Sequence, residues 1–493
     1  MRPTRRTSRG SGMDHTRTHI TRHETDVLVL GAGLAGLRAA WAALAENPGA
    51  RVTVISAGSG PSGSSFANLH DRLGMQTCPT DEDAADLVAE ALAVGRPGHV
   101  EPVLAQALAT DARERFEDMK DLGLPFIARQ NGSPELFSAC FSPASRRAVV
   151  FEDLGRVFTA FKTRGEELGG HFLSGLTVRG LVVRDGRALG ALAEDARGRA
   201  SLFMAKAVIM ALGGPAPLFA HNQAGPGNPG FSLGLLGRAG ARLVNQGYLQ
   251  YMWASLPDRA FWNLAAKARQ GLVVRSPDGG LVPLPDDLAE LAAERKTHCP
   301  FGHGLPDAEL DRFLLRHLDA EGAVMVRAAA EDFTRVAPMA HAGNGGALID
   351  EHGQTSVAGL YACGECASGM HGANRIGGAM VLATQVFGTR AGRHAAGTLK
   401  KNPESSDISF SELMNDSLAP RSQGGRGTEP DRDREHLHAL AWSLQMNMAM
   451  QKSPTLEAAR AELSRRREQT AGWRARLALE TGMELLTHIA SHN

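Results

Sequence analysis

Residues 26–36 read Asp26-Val-Leu-Val-Leu30-Gly31-Ala-Gly33-Leu-Ala-Gly36. The first five are a continuous β-prone run closed by glycine, the pattern of a strand buried on both faces of a parallel sheet. Gly31 to Gly36 then opens an alanine-rich helical stretch to about Glu46, and Arg51–Ser56 forms a second strand after the turn at Asn47-Pro48-Gly49. A GxGxxG placed between a strand and a helix in one β-α-β unit marks a dinucleotide site. Gly31 permits the tight turn, Gly33 lets backbone approach a pyrophosphate, and Gly36 lets helix and strand pack closely. The free N–H groups of the helix N-terminus then face the phosphates. The fold class is α/β with a Rossmann-like nucleotide-binding domain.

Outward from this unit, Ser56-Ala57 stand where such sites usually carry an acidic ribose contact, which counts against a nicotinamide cofactor. Ser56 is kept as a cofactor contact. The loop 58–65 offers backbone N–H groups and the hydroxyls of Ser62, Ser64 and Ser65 to a second nucleotide segment, with a solvated loop as the alternative. Helical segments are expected near 81–94 and 100–122, then an irregular stretch to about 145. Strand-like runs at 175–183 and 188–194 flank the hairpin turn Arg184-Asp185-Gly186-Arg187. Ala207 to Gly214 reads as a buried strand whose paired glycines, Gly213 among them, end against the cofactor. Gly234, Gly237 and Gly240 have the wrong spacing for a second dinucleotide unit, so no separate nicotinamide domain is indicated. Residues 216–335 are rich in Pro, Gly and aromatics, with a long helical pattern at 307–332, as for an inserted lid. Residues 401–433 read as a polar linker, and 434–493 as helical with a break near Lys452-Ser453-Pro454.

The length of 493 residues accommodates two or three domains. Its 53 basic and 53 acidic residues cancel, so no overall field steers the chain toward nucleic acid or an anionic membrane surface. No apolar run approaches the ~18 residues that span a bilayer, so direct membrane insertion is not expected. Arg5-Arg6 suggests twin-arginine export, but no apolar run follows it. Residues 1–25 read as a disordered basic tail, or as an artefact if translation starts at Met13. Five scattered cysteines (Cys78, Cys140, Cys299, Cys363 and Cys366) read as a reducing compartment, the cytoplasm.

The most specific segment lies later. Gly359-Leu-Tyr-Ala-Cys-Gly-Glu365-Cys366, His371-Gly-Ala-Asn-Arg375 and Val386-Phe-Gly-Thr-Arg-Ala-Gly392 stand in order. With the N-terminal GxGxxG, Ala207–Gly214 and Val336 to His341, they resemble the succinate dehydrogenase and fumarate reductase flavoprotein family, which includes L-aspartate oxidase. The resemblance implies an FAD-binding domain (26–215 and 336–400) interrupted by a capping domain (216–335), with a C-terminal helical region (434–493). It implies that Gly31, Gly33 and Gly36 hold the FAD pyrophosphate and that Ser64 and Ser65 match the family's serine-threonine loop. Glu365 would meet the ribityl chain, with Gly364 also a cofactor contact, and the backbone of Met380 and Val381 the flavin ring. The histidine that some members link to FAD has no counterpart in Ser64-Ser65-Phe66, so FAD is expected to be non-covalent. His341 and Arg375 match the pair that binds a substrate carboxylate, and a planar guanidinium suits that task through two parallel N–H donors.

Departures fall on the substrate side. The family's second carboxylate-binding histidine becomes Met252, its threonine-glutamate pair becomes Leu264-Ala265, and the aspartate of its Gly-Asp-Gly appears as Phe231. The lid arginine that shuttles a proton has no motif, leaving Arg295 or Arg312 as substitutes or as solvated helix residues. The expected substrate is therefore a small carboxylate, a monocarboxylate or something more apolar held by Met252, Trp253 and Trp262. Arg146-Arg147 would assist an acidic substrate or be surface. Cys363 and Cys366, and His298-Cys299 with His303, have redox or ligand residue types but no zinc or iron–sulfur signature, and no metal is expected. The expected activity is hydride transfer between flavin N5 and a C–C or C–N bond beside a carboxylate. The alternatives are an L-aspartate oxidase-like enzyme, or a flavin-carrying subunit serving an iron–sulfur or haem electron-transfer partner.

Overall fold

The computed structural model describes residues 20–492 except 297, 329–330, 400–428, 451–452 and 471. Most of the expected basic tail and most of the expected linker therefore lie outside the described residues. β1 (Thr21–Leu30) begins five residues before the apolar run read from sequence, and it is followed by α1 (Leu34–Glu46) and β2 (Val52–Ile55). Val27 to Leu30 are fully buried, as the interior strand of a sheet with a neighbour on each side requires.

β1 is central in a seven-stranded sheet. On one side it pairs in parallel with β2, which pairs with His171–Leu173; on the other it pairs with Ala200–Met210, which also takes Leu360–Ala362 in parallel. The antiparallel hairpin Thr177–Arg184 and Arg187–Glu194 completes the sheet, turning through Asp185 and Gly186, both at positive φ. The C-terminal ends of β1 and of Ala200–Met210 thus open at one crevice. Against α1 lies the helix Ala379–Gly397. A Cβ on Gly392 would stand 2.2 Å from the Ala39 carbonyl oxygen, so this glycine sets the closeness of the two helices.

A second sheet is wholly antiparallel, ordered Leu249–Ser255, Thr334–Gly343, Val324–Ala328, Leu272–Arg275, Leu281–Pro283. It corrects the helix expected over 307–332. The helix is Ala308–Leu315 alone, because Gly322 at φ +65° and the Asp319 carboxylate, which accepts from the Glu321 and Ala323 N–H groups, turn the chain. Val324, Val326 and Ala328 then bury alternately, with the period of a strand.

The stretch to 145 expected to be irregular is corrected too. Phe137–Ala139 and Ser142–Glu152 are strands of a three-stranded sheet with Arg72–Gln76. Asn-Gly and Pro residues obscure them in the sequence. The C-terminal region is three helices, Glu429–Met450, Ser453–Gln469 and Trp473–His492. Gln445 Nε2 donates to the Pro338 carbonyl, and the Gly234 N–H donates to Thr481 Oγ1, which ties this region to the strand entering the site and to the helix Ser232–Arg238.

Candidate flavin and substrate site

A cavity of about 390 Å³ opens where the strands of the main sheet end. Gly31, Gly33, Ser56, Ser64, Ser65, Gly213, Gly364, Glu365, Met380 and Val381 all line it, as do His341 and Arg375. Gly36 does not. A Cβ there would fall 1.9 Å from the Gly31 carbonyl oxygen, so its contribution is the close fold of the turn. Gly31 itself, at φ +107°, has no room for a side chain: a Cβ would meet the Ala211 carbonyl oxygen at 2.5 Å.

Two helix N-termini meet the cavity. Gly33 caps α1 and Gly378 caps Ala379–Gly397, neither with a side chain of its own to bond the first turn, although the Leu34 N–H of α1 donates to Ser65 Oγ at 3.4 Å. Their remaining N–H groups and positive dipole ends favour anionic or polarised oxygen atoms. Met380 and Val381 lie in the first turn of the second helix, which is why they line the cavity. Two buried polar atoms on lining residues, Gln223 Oε1 and His341 Nδ1, have no protein hydrogen-bond partner among the described residues. A polar ligand satisfies such groups. The residues present therefore fit an elongated, phosphate-bearing cofactor.

Glu365 Oε1 accepts the Gly343 N–H at 2.7 Å. Burial pushes its carboxyl up from the ordinary range, while that bond and the Arg375 charge pull the other way. Arg375 follows from the loop after Glu365 and is buried. Its Nε donates to Asn344 Oδ1 at 3.2 Å and its Nη2 to Gln250 Oε1. Burial lowers its pKa to about 10, so it stays charged near neutrality. Among the described residues no carboxylate lies within ion-pair distance of Arg375, although the other buried arginines, Arg38, Arg115, Arg147 and Arg295, each have one. His341, on the strand Thr334–Gly343, is neutral: burial first, then the charge of Arg375, brings its pKa down to about 4.

Several expected substrate contacts lie elsewhere. Trp253 is fully buried in the second sheet, where its Nε1 donates to Asp311 at 2.9 Å, and neither Met252 nor Trp262 lines the cavity. The aromatic wall is instead Phe261, 47% exposed, stacked on His70 at 4.5 Å and edge-on to His341 at 6.0 Å. Phe231 lines the cavity. Arg295 is not a lid arginine: it is buried, pairs with Asp311 at 2.7 Å and Asp307 at 3.3 Å, and donates to the Pro300 carbonyl. Arg312 is an exposed partner of Glu309. Arg147 is buried against Glu90 and Gln76, and Arg146 donates to the Leu136 carbonyl, so neither assists a substrate in this cavity. Cys363 and Cys366 are free thiols, and no cluster among the described residues has the make-up of a metal site. Sequence reasoning passed over Gln223, His70 and Phe261, which no motif marks. Asn344 and Gln250 carry no motif of their own either.

A β-α-β glycine turn, two converging helix ends and a buried, unpaired guanidinium define a flavin-dependent oxidoreductase site. The chain belongs to the FAD binding domain family, whose model matches residues 26–381, and FAD is its cofactor. It is 30% identical over 398 residues to an L-aspartate oxidase of Caulobacter vibrioides, which covers 75% of this chain and 76% of that one. It is 28% identical over 454 residues to a fumarate reductase (CoM/CoB) subunit of Methanothermobacter marburgensis, covering 85% and 81%. In fold it matches the Mycobacterium smegmatis Sdh1 complex with a TM-score of 0.76, 21% identity and coverage of 96% and 86%. The enzyme is thus an FAD-dependent oxidoreductase of the fumarate reductase and succinate dehydrogenase type. No helix of the described residues is long and apolar enough to cross a membrane.

Proposed function

We propose that the enzyme oxidises or reduces a small molecule at the carbon beside a single carboxylate, with Arg375 as the anchor. The unpaired charge of Arg375 carries this reading. A buried guanidinium hydrogen-bonded to the neutral amides of Gln250 and Asn344, which feels the Glu365 carboxyl but makes no ion pair with it, has donors and charge left for a substrate carboxylate. When bound, FAD supplies the hydride acceptor or donor. The protein's part is to hold the reacting carbon over it.

Gln250 and Asn344 fix the plane of the guanidinium and leave its remaining N–H donors for the substrate. His341, neutral and with Nδ1 unpartnered, offers a hydrogen bond without adding a second charge. Phe261 and His70 bound the rest of the substrate, their rings stacked on the cavity wall. Among the described residues the other arginine on the wall, Arg72, is already paired with Glu152. A substrate with one carboxylate and an apolar or aromatic remainder matches these walls better than a four-carbon dicarboxylate. The absence of a histidine at Ser64-Ser65-Phe66 supports non-covalent FAD. Five free thiols support a cytoplasmic setting, and the likeness to one component of a fumarate reductase supports an iron–sulfur or haem electron partner.

The test is an anaerobic screen of carboxylic and amino acids for bleaching of the oxidised flavin or reoxidation of the reduced one. An aryl or branched monocarboxylate is expected to react faster than fumarate, succinate or L-aspartate. Normal turnover of those three would overturn the single-anchor reading. Reaction with no small carboxylate, but with an electron-transfer protein, would favour the role of an electron-carrying component.

A further inference from the structure

Two thiols face each other where the second sheet's loops meet the nucleotide-binding domain. Cys140 sits at the tip of the hairpin joining Phe137–Ala139 to Ser142–Glu152. Cys299 lies in the loop between the helices Asp286–Glu294 and Ala308–Leu315. The two segments are held in place independently of the sulfurs. The Phe141 ring stacks on His298, with centroids 4.2 Å apart and planes inclined at 15°. The Gly377 N–H donates to the Cys140 carbonyl at 2.8 Å, and Arg295 Nη2 donates to the Cys299 carbonyl at 3.1 Å.

Within this frame the two cysteine side chains come close enough for each sulfur to perturb the other. Cys299 is exposed and Cys140 half-buried, so small solutes reach them. The Cys299 side chain, aided by its backbone N–H, His298 and Arg375, brings the Cys140 thiol down to about 6, and its partner is pushed up. One sulfur is thus poised as a nucleophile and the other keeps its proton. Cys78, Cys363 and Cys366 are buried, and burial raises all three, which makes them unreactive.

We propose that Cys140 and Cys299 are an oxidant-responsive pair that closes to a disulfide, joining the loop that carries Cys299 to the hairpin beside Gly377 and the Arg375 anchor. With hydrogen peroxide as oxidant, the Cys140 thiolate attacks one oxygen, an S–O bond forms, the O–O bond breaks, and hydroxide leaves. Cys299 gives up its proton and attacks the sulfenic sulfur; an S–S bond forms, the S–O bond breaks, and a second hydroxide leaves. The released proton and one from solvent convert the hydroxides to water. Two thiols lose two electrons, and one peroxide becomes two waters. The inference does not depend on which carboxylate the enzyme uses.

The experiment treats the full-length, FAD-loaded protein with a small excess of hydrogen peroxide, blocks remaining thiols with iodoacetamide and maps the digest by mass spectrometry. The expected product is a Cys140–Cys299 linked peptide, reversed by dithiothreitol, with Cys78, Cys363 and Cys366 unmodified until the protein is denatured. Cys299→Ser, at an exposed position, should instead stop at a Cys140 sulfenic acid trapped by dimedone, and Cys140→Ser should give neither product. The proposal is overturned if both cysteines stay alkylatable after a dose that fully oxidises added glutathione. It is equally overturned if Cys140 links to another cysteine, or if dimedone labels Cys299 rather than Cys140.

Discussion

At the residue scale, Arg375 and His341 act on each other as well as on a ligand. Arg375 is held by two amides, and replacing it with alanine removes the charge the cavity is built to neutralise. Loss of a charge-assisted contact is worth about 1.5–3 kcal/mol. Arg375→Ala should therefore raise the KM for the reactive carboxylate roughly 10- to 100-fold, as read in steady-state kinetics with flavin content unchanged. Lysine, a point charge without the planar fork, should recover part of that loss. His341 gives a pH signature. Its pKa of about 4 in the fold lies below the unfolded value near 6.5, so the unfolded chain binds more protons between those limits. Its contribution to stability is complete above pH ~6.5 and falls by about 1.4 kcal/mol per unit as pH drops toward 4. In urea denaturation, His341→Gln should lose less stability than the native protein between pH 6.5 and 5. Both residues are legible in sequence because they sit in segments with a recognisable order. Gln250 and Asn344 are not, since neutral amides far apart in the chain acquire a role only when folding brings them to one guanidinium.

At the scale of elements, the glycine turn of β1 and α1 is decided by contact distances. Gly36→Ala places a methyl group on the Gly31 carbonyl oxygen. The effect should reach the upper end of single-residue losses, about 3 kcal/mol, with FAD occupancy falling in absorbance at the flavin bands. The loop around Arg295 behaves differently. Breaking a buried ion pair from one side costs about 3–5 kcal/mol, so Arg295→Met should lower the denaturation midpoint sharply, while Arg312→Ala stays within about 0.5 kcal/mol. Retained carboxylate turnover in folded Arg295→Met would agree with its structural place. β1, α1 and β2 were legible because apolar runs and glycines mark both ends. The helix expected over 307–332 was not, because Asp319 and Gly322 interrupt a pattern whose apolar residues satisfy periods of two and of 3.6 alike. The hairpin at 137–152 escaped notice because its residues alternate weakly.

At the scale of the whole molecule, one sheet presents the cofactor cradle and the other brings His341 and Gln250 against it. Motifs made the nucleotide half readable. The substrate half was not, because its walls come from loops around His70 and Phe261 with no spacing rule. The aromatics that seemed free to line it, Trp253 above all, are consumed by the core of the second sheet. The most direct measurement is an equilibrium titration of the oxidised, FAD-loaded protein with simple carboxylates, followed through the flavin absorption bands, for the native chain and Arg375→Ala. Saturable spectral shifts in the native protein, weakened at least about 10-fold in the variant, are the expected result. A colourless protein that takes up no FAD, or equal affinities in the two proteins, would contradict the account.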